Sequence, residues 1–234
     1  MHAQNNLTVF AIYSQMYYKH FQDMKTLIIP KIIPSGDIEK IFDALPLHDI
    51  DCCNWPAEYP YTPKAGFKLF HDGNRLYIKF IVTENDIKAA VTEDQGRTWT
   101  DPCVEFFVSP EGNLDYYNFE CTCTGKLLLA WHPADAPKEP ATKEVLDSVE
   151  RTPSLGTEAF ELRMGEHSWS VVEIIPVTAL FRNNIDSFDG KHMKANFYKC
   201  GDELPTPHFL SWNPIVWEGP SFHRPEQFGE IIFE

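Results

Sequence analysis

Trp99 and Glu105 stand six residues apart in the segment Trp99-Thr-Asp-Pro-Cys-Val-Glu105-Phe-Phe-Val108, the part of the chain whose residue types are best suited to chemistry. Trp99 falls in a loop that opens near Asp94-Gln95-Gly96 and runs into a strand. An indole in that position can offer its flat apolar face to the C–H face of a pyranose, or it can plug the end of a β-sandwich. Strand alternation puts Val104, Phe106 and Val108 on one face, the expected core face, and Glu105 and Phe107 on the other. A carboxylate at Glu105 can accept hydroxyl hydrogens from a polar ligand, although a solvated strand face gives the same pattern. Residues 117–123 alternate in the same way, with Tyr117, Phe119, Cys121 and Cys123 on one face and Asn118, Glu120 and Thr122 on the other. If Val108 pairs with Tyr117 across the loop 109–116, Glu105 falls directly opposite Glu120. Like charges placed so are unfavourable unless a cation, a basic side chain, a raised pKa or a hydroxyl-rich ligand relieves them. A one-residue slip would undo the pairing.

A second dense segment, residues 211–229, contains Trp212, Asn213, Trp217, Phe222, His223 and Arg224. Two prolines and a glycine make residues 214–220 a loop, so Trp217 or Phe222 can supply a second aromatic wall. Asn213, His223 and Arg224 can supply donors. The alternative is a long loop packed on the sheet by its own aromatics, a role expected for Phe228. Paired carboxylates keep an enzyme in play, because retaining glycosidases hold two about 5–5.5 Å apart. A glycoside-acting hydrolase or lyase would use Glu105 and Glu120. The histidines form no H-E-x-x-H pattern, and no G-x-S-x-G, Walker or dinucleotide fingerprint occurs. The cysteines, Cys52, Cys53, Cys103, Cys121, Cys123 and Cys200, form no C-x-x-C pair. They read as buried free thiols rather than a disulfide framework, and no metal site is expected from their spacing.

The elements that must hold these residues are mostly strands. The chain carries 17 Phe, 9 Tyr and 6 Trp, residues that favour strands. Residues 27–33 read as an edge strand broken by Pro30 and Pro34. Residues 35–45 place Ile38, Ile41, Phe42 and Leu45 at helical spacing behind a Ser35 or Asp37 cap. This is the only substantial helix expected, covering one end of the core. Strands are expected over 76–82, 103–108, 117–123, 126–131, 194–200, 209–212 and 229–233. A hairpin is expected over 160–175 about Gly165-Glu166-His167, and a single helical turn over 176–181. Residues 132–157 read as a long connection. The expected fold is an all-β antiparallel β-sandwich, one domain over residues 24–234. Residues 1–23, upstream of a second methionine at Met24, are expected to lie outside it. No signal peptide pattern or membrane-spanning stretch is visible, so the default compartment is the cytoplasm. A net charge of −14 disfavours nucleic acid and acidic membranes and leaves neutral ligands and cations as partners. The oligomeric state is not legible.

Trp99-x5-Glu105-Phe-Phe-Val, Tyr116-Tyr117 with Phe119, Ser211-Trp212-Asn213 and Arg224-Pro225…Phe228-Gly229 together resemble carbohydrate-binding module family nine. The strings Asn196-Phe-Tyr-Lys-Cys-Gly-Asp202 and Phe209-Leu-Ser-Trp-Asn-Pro214 are similar to its free-standing Bacteroides-type members. The resemblance implies a DOMON-like sandwich that grips mono- or oligosaccharide ends between two aromatic rings and serves carbohydrate catabolism, often beside glycoside hydrolases. Trp99 matches the first clamp tryptophan and Glu105 the carboxylate that bonds sugar hydroxyls. The second clamp position falls near Phe222, with Trp217 a substitute. A family arginine falls at Glu120, reversing its charge, and a family glutamine falls near Tyr198. Asn213 and Arg224 complete the expected ligand-binding set, with no catalytic residue among them. Such modules can carry structural calcium. Two other readings stay open: a structural module with its slot filled, and a haem-binding DOMON domain, for which Met164, Met193 and the histidines show no axial-ligand pattern.

Overall fold

In the computed structural model residues 24–234 are described, and the expected extension over residues 1–23 lies outside them. The strands and helices follow in chain order as β1 (Thr26–Ile29), α1 (Ile38–Ala44), β2 (His48–Asp49), β3 (Cys52–Cys53), β4 (Lys64–His71) and β5 (Arg75–Ala89). After them come β6 (Cys103–Ser109), β7 (Tyr116–Thr122), β8 (Leu127–His132), β9 (Glu139–Pro140), α2 (Lys143–Ser148) and β10 (Glu150–Pro153). The last are β11 (Phe160–Pro176), β12 (His192–Cys200), β13 (Phe209–Ser211) and β14 (Gly229–Phe233). Two sheets form. The larger runs β1-β14-β12-β6-β7-β8-β9, with β13 joined to β12 and β3 joined to β13; the smaller runs β10-β11-β5-β4-β2. Pairing is antiparallel except between β1 and β14, which run parallel at the sheet edge.

Alternation builds the sandwich. Val104, Phe106 and Val108 on β6, Tyr117, Phe119 and Cys121 on β7, and Ala195 and Phe197 on β12 face Phe67, Ile78, Phe80 and Val82 of the smaller sheet. Phe197 is at the centre, stacked on Phe67 with ring centroids 3.7 Å apart and on Phe106 at 5.0 Å. Such ring pairs contribute about 0.5–1.5 kcal/mol each beyond the area they bury. A polar network crosses this core. Lys199 on β12 and Glu84 on β5, both fully buried, meet at 2.9 Å. The Lys199 ammonium also donates to the Cys200 carbonyl and to His208 Nε2, and the Trp169 indole donates to Glu84 Oε1 at 2.7 Å. Burial and the Lys199 charge hold His208 down at about 2, so the ring is neutral and can accept that bond.

The opposite face of the larger sheet is covered too. Cys103, Phe107, Tyr116, Tyr198 and Cys200 form a second apolar cluster with Trp55, Ile215, Phe222 and Phe228. The segment containing Phe222 and Phe228 therefore closes over β6, β7 and β12. As a result, every residue of β6 and β7 is buried, including their carboxylates.

Several expectations change. α1, capped by the Asp37 carboxylate accepting from the Glu39 amide, buries Phe42 against Phe70, Tyr77 and Val172. It thus covers the outer face of the smaller sheet rather than an end of the core. Gly165-Glu166-His167 makes no hairpin turn. β11 runs on through it and pairs with an equally extended β5, with register shifts on either side of Arg163. Gly165, at φ 96°, donates its amide to the Asp86 carboxylate at 2.7 Å. The glycine accommodates a bulge because β5 supplies a partner as far as Ala89. The connection 132–157 contains β9, α2 and β10, elements too short to show a hydrophobic period. Met164 is exposed and Met193 lies in the core, so neither stands as a haem ligand at a shared site.

Candidate functional site

β6 and β7 pair with Val108 opposite Tyr117, the pairing supposed from the sequence, and so Glu105 stands opposite Glu120. Both glutamates project from the covered face and are only 3% and 5% exposed. Their surroundings differ. Glu120 accepts from Thr98 Oγ1 at 2.9 Å on one oxygen and from Asn118 Nδ2 at 2.7 Å on the other. Glu105 accepts from the Cys200 thiol at 3.1 Å. Burial and the facing Glu120 push Glu105 well above the ordinary carboxylate range. Burial raises Glu120 as well, opposed by its two donors and by Lys138.

These glutamates form part of the lining of a cavity of about 300 Å³. Asp202 joins them on the acidic side, pushed up to about 6 by burial. Trp99, Phe209 and Phe222 provide the aromatic lining, and Lys138 and His223 contribute cations or donors at the rim. Trp99 is half-buried and sits in a short 3-10 turn over Thr98–Thr100. That turn is well anchored. The Asp101 carboxylate caps the amides of Ala90 and Val91 at 2.7 and 2.8 Å. Gln95 donates to the carbonyls of Leu129 and Ala141, and the Trp99 carbonyl accepts from the Asp202 amide at 3.0 Å. Phe222 is held from behind by Tyr198, whose ring stacks on it at 4.2 Å and whose hydroxyl donates to the Phe222 carbonyl. A ring fixed on one side this way presents only its remaining surface to the cavity.

The sequence-predicted residues therefore divide. Trp99, Glu105, Glu120 and Phe222 line one cavity. Tyr198 lies behind it, as a support for Phe222. Asn213, Trp217 and Arg224 do not line it. Asn213 is a buried tie: it donates to the Gln227 carbonyl and accepts from the Lys25 amide. Trp217 is 46% exposed and is covered on one face by the Arg224 guanidinium, 3.2 Å from its ring centroid. Paired with each other, these two are outside the cavity lining, where the aromatic rings are Trp99, Phe209 and Phe222.

Sequence reasoning missed Cys200, Asp202, Phe209 and Lys138 as lining residues. Cys200 had a signal, since it follows Tyr198 by two on β12 and so shares its face. Asp202 and Lys138 lie in turns and connections, where no period announces direction. Near the rim, Tyr116 stacks on His132 at 4.7 Å and its hydroxyl lies 2.7 Å from His223 Nδ1. Burial and His223 hold His132 down at about 3, so it is neutral. Among the described residues the one convergent group of His, Cys, Asp or Glu ligand atoms is Cys103, Glu105 and Cys200, which brings two thiols, whereas calcium takes oxygen ligands.

The model for carbohydrate-binding family 9 matches residues 37–233. The chain is similar to a Bacteroides uniformis protein described as a candidate carbohydrate-binding protein, with 45% identity and a TM-score of 0.86, over 90% of this chain and 100% of that one. It is also similar in fold to a family 9 carbohydrate-binding module of Caldicellulosiruptor kristjanssonii, solved with glucose and with cellotriose. Both comparisons give 15% identity and a TM-score of 0.56 over 90% of this chain, and cover 96% and 94% of those chains. No curated protein matches the chain.

Proposed function

The chain belongs to carbohydrate-binding family 9, and from that premise we propose that the cavity between Trp99 and Phe222 binds one or two sugar units of a glycan end, without transforming them, in the service of carbohydrate catabolism. The observation that carries the reading is the meeting of three aromatic side chains, Trp99, Phe209 and Phe222, and three carboxyl groups in a single small cavity. An aromatic ring offers apolar surface to the C–H face of a pyranose, while carboxylates are strong acceptors for its hydroxyls. Trp99 supplies the accessible ring, Phe222 the opposing one, and Glu105 the acceptor with capacity to spare. A volume of about 300 Å³ stands at the small end of ligand cavities, which favours a mono- or disaccharide over a long chain. The glucose and cellotriose complexes of the Caldicellulosiruptor module support a gluco-configured ligand as the first to test.

The paired-carboxylate enzyme gains no specific support. Titration calorimetry of the chain against glucose, cellobiose and a panel of other mono- and disaccharides tests the proposal. One-to-one binding with a Kd between about 1 μM and 1 mM is expected. Absence of heat across the whole panel refutes sugar binding. Full affinity in Trp99→Ala refutes the two-ring arrangement while leaving sugar binding in place.

A further inference from the structure

The strongest feature outside sugar recognition is a triangle of metal-ligating side chains beneath the cavity. β6 and β12 run antiparallel with Cys103 directly opposite Cys200. Glu105, two residues after Cys103, leaves the sheet on the same face. One ligand atom from each of the three lies within 4.8 Å of the other two, and all three residues are buried. The Cys200 thiol donates to Glu105 Oε1 at 3.1 Å, while the Cys103 thiol donates to the Val104 carbonyl at 3.7 Å. One thiol proton thus lies between two of the three atoms, and both become ligands once it leaves. A second observation concerns its open side. Glu105 and Cys200 line the cavity together with Asp202, whose Oδ1 is buried and has no hydrogen-bond partner among the described residues. A cation could thus arrive through the cavity, and a fourth oxygen stands beside Cys200.

We propose that Cys103, Glu105 and Cys200 form a binding site for one thiophilic divalent cation of the zinc class, with its fourth position turned toward Asp202 and the cavity. Two sulfurs and a carboxylate oxygen are a donor set for tetrahedral zinc, whereas calcium and magnesium take oxygen ligands. With Zn–S bonds of about 2.3 Å, the sulfurs of a tetrahedral site stand about 3.8 Å apart, so these side chains need to close by about 1 Å at most. Binding exchanges protons for the metal: each thiol loses its proton to solvent, its electron pair forms the metal–sulfur bond, and no oxidant or reductant is needed. Because binding releases protons, the exchange favours higher pH. The cation would also screen Glu105 from Glu120, the repulsion that the fold leaves standing.

The test is spectroscopic and independent of any sugar. The reduced full-length chain is titrated with Co²⁺ and then with Zn²⁺. One equivalent of Co²⁺ should produce a thiolate-to-cobalt charge-transfer band in the near ultraviolet and the intense visible bands of a tetrahedral ion, and zinc should bleach both. Apparent affinity should rise at least about tenfold per pH unit, because at least one proton leaves for each ion bound. Cys103→Ser and Cys200→Ser should each remove about half the charge-transfer intensity, since each deletes one of the two sulfur ligands. Glu105→Gln, which leaves both thiols in place, should keep the band and weaken cobalt binding at least about tenfold. The partly exposed Cys52 and Cys53 provide the control, and the band must persist in Cys52→Ser/Cys53→Ser. A wild-type chain that gives no charge-transfer band in cobalt excess overturns the proposal, as does a band that disappears in the Cys52→Ser/Cys53→Ser variant. The wild-type titration and that control leave the buried triangle undisturbed, so the outcome is decided even if Cys103→Ser fails to fold.

Discussion

Glu105→Gln should stabilise the protein at neutral and alkaline pH while weakening its ligand. Glu105 and Glu120 are directly opposed across β6 and β7 and almost wholly buried. Side chains so opposed have Cβ atoms about 4.5–5.5 Å apart. Two full charges about 5 Å apart at an effective dielectric constant of about 20 repel by about 3 kcal/mol. The Thr98 and Asn118 donors and Lys138 favour the charged Glu120 and offset part of this, so a gain of about 1–3 kcal/mol is expected at pH 8. Over this chain length that amounts to a rise in Tm of about 2–12 °C. The sign follows from linkage. Burial and Glu120 raise the folded pKa of Glu105 above its ordinary 4.5. The stability tied to the protonated form is therefore complete below that value and is lost as pH rises through the folded pKa. Glutamine does not ionise, so the variant escapes the loss. Urea unfolding of both proteins at pH 4, 6 and 8, with a chelator to exclude metal, should give curves that nearly coincide at pH 4 and separate as pH rises. A variant that is less stable at pH 8, or a difference that does not change with pH, would show that the carboxylates do not repel as their placement requires.

Trp99→Ala should lower affinity for a bound sugar about five- to thirtyfold, from lost stacking and apolar contact, while Trp217→Ala should leave the calorimetric isotherm unchanged because that ring lies under Arg224. Lys199→Met should cost about 3–5 kcal/mol in urea unfolding, since it leaves Glu84 charged and unpaired in the core; adding Glu84→Leu should recover much of the loss. Glu173, buried in the core, has its carboxyl pushed up to about 8 by burial. The stability held by its protonated form is complete below the ordinary 4.5 and lost as pH rises through 8, so Glu173→Gln should gain on the wild type between pH 5 and 8 and level off above. Thermal melts across that range check it.

The glutamate pair shows how far local pattern reaches. The alternation of Val104, Phe106 and Val108 with Glu105, and of Tyr117 and Phe119 with Glu120, is fixed by the two-residue period of a strand. Alternation fixes the face but not the register; pairing Val108 with Tyr117 was one assumption about the loop 109–116, and the structure has that pairing. The same reasoning failed at Gly165, where turn-forming residues lie within a continuous strand. There a ladder of backbone bonds to β5 outweighed a local preference. It failed again at Trp217 and Arg224. Loop aromatics have no periodicity, and a cation stacking on the indole decides where it points.

By itself the sequence determined strands such as β6, β7 and β12 and which face their residues take, because backbone geometry ties direction to position within a few residues; it did not show β4 over Lys64–His71. Only the tertiary structure decided what lies opposite each face. Covering β6 and β7 with a segment more than ninety residues further on is a matter of long-range contact. That cover changed Glu105 from a residue on an open strand face into a buried acid beside Cys200, and it brought Asp202, Phe209 and Phe222 to the same cavity.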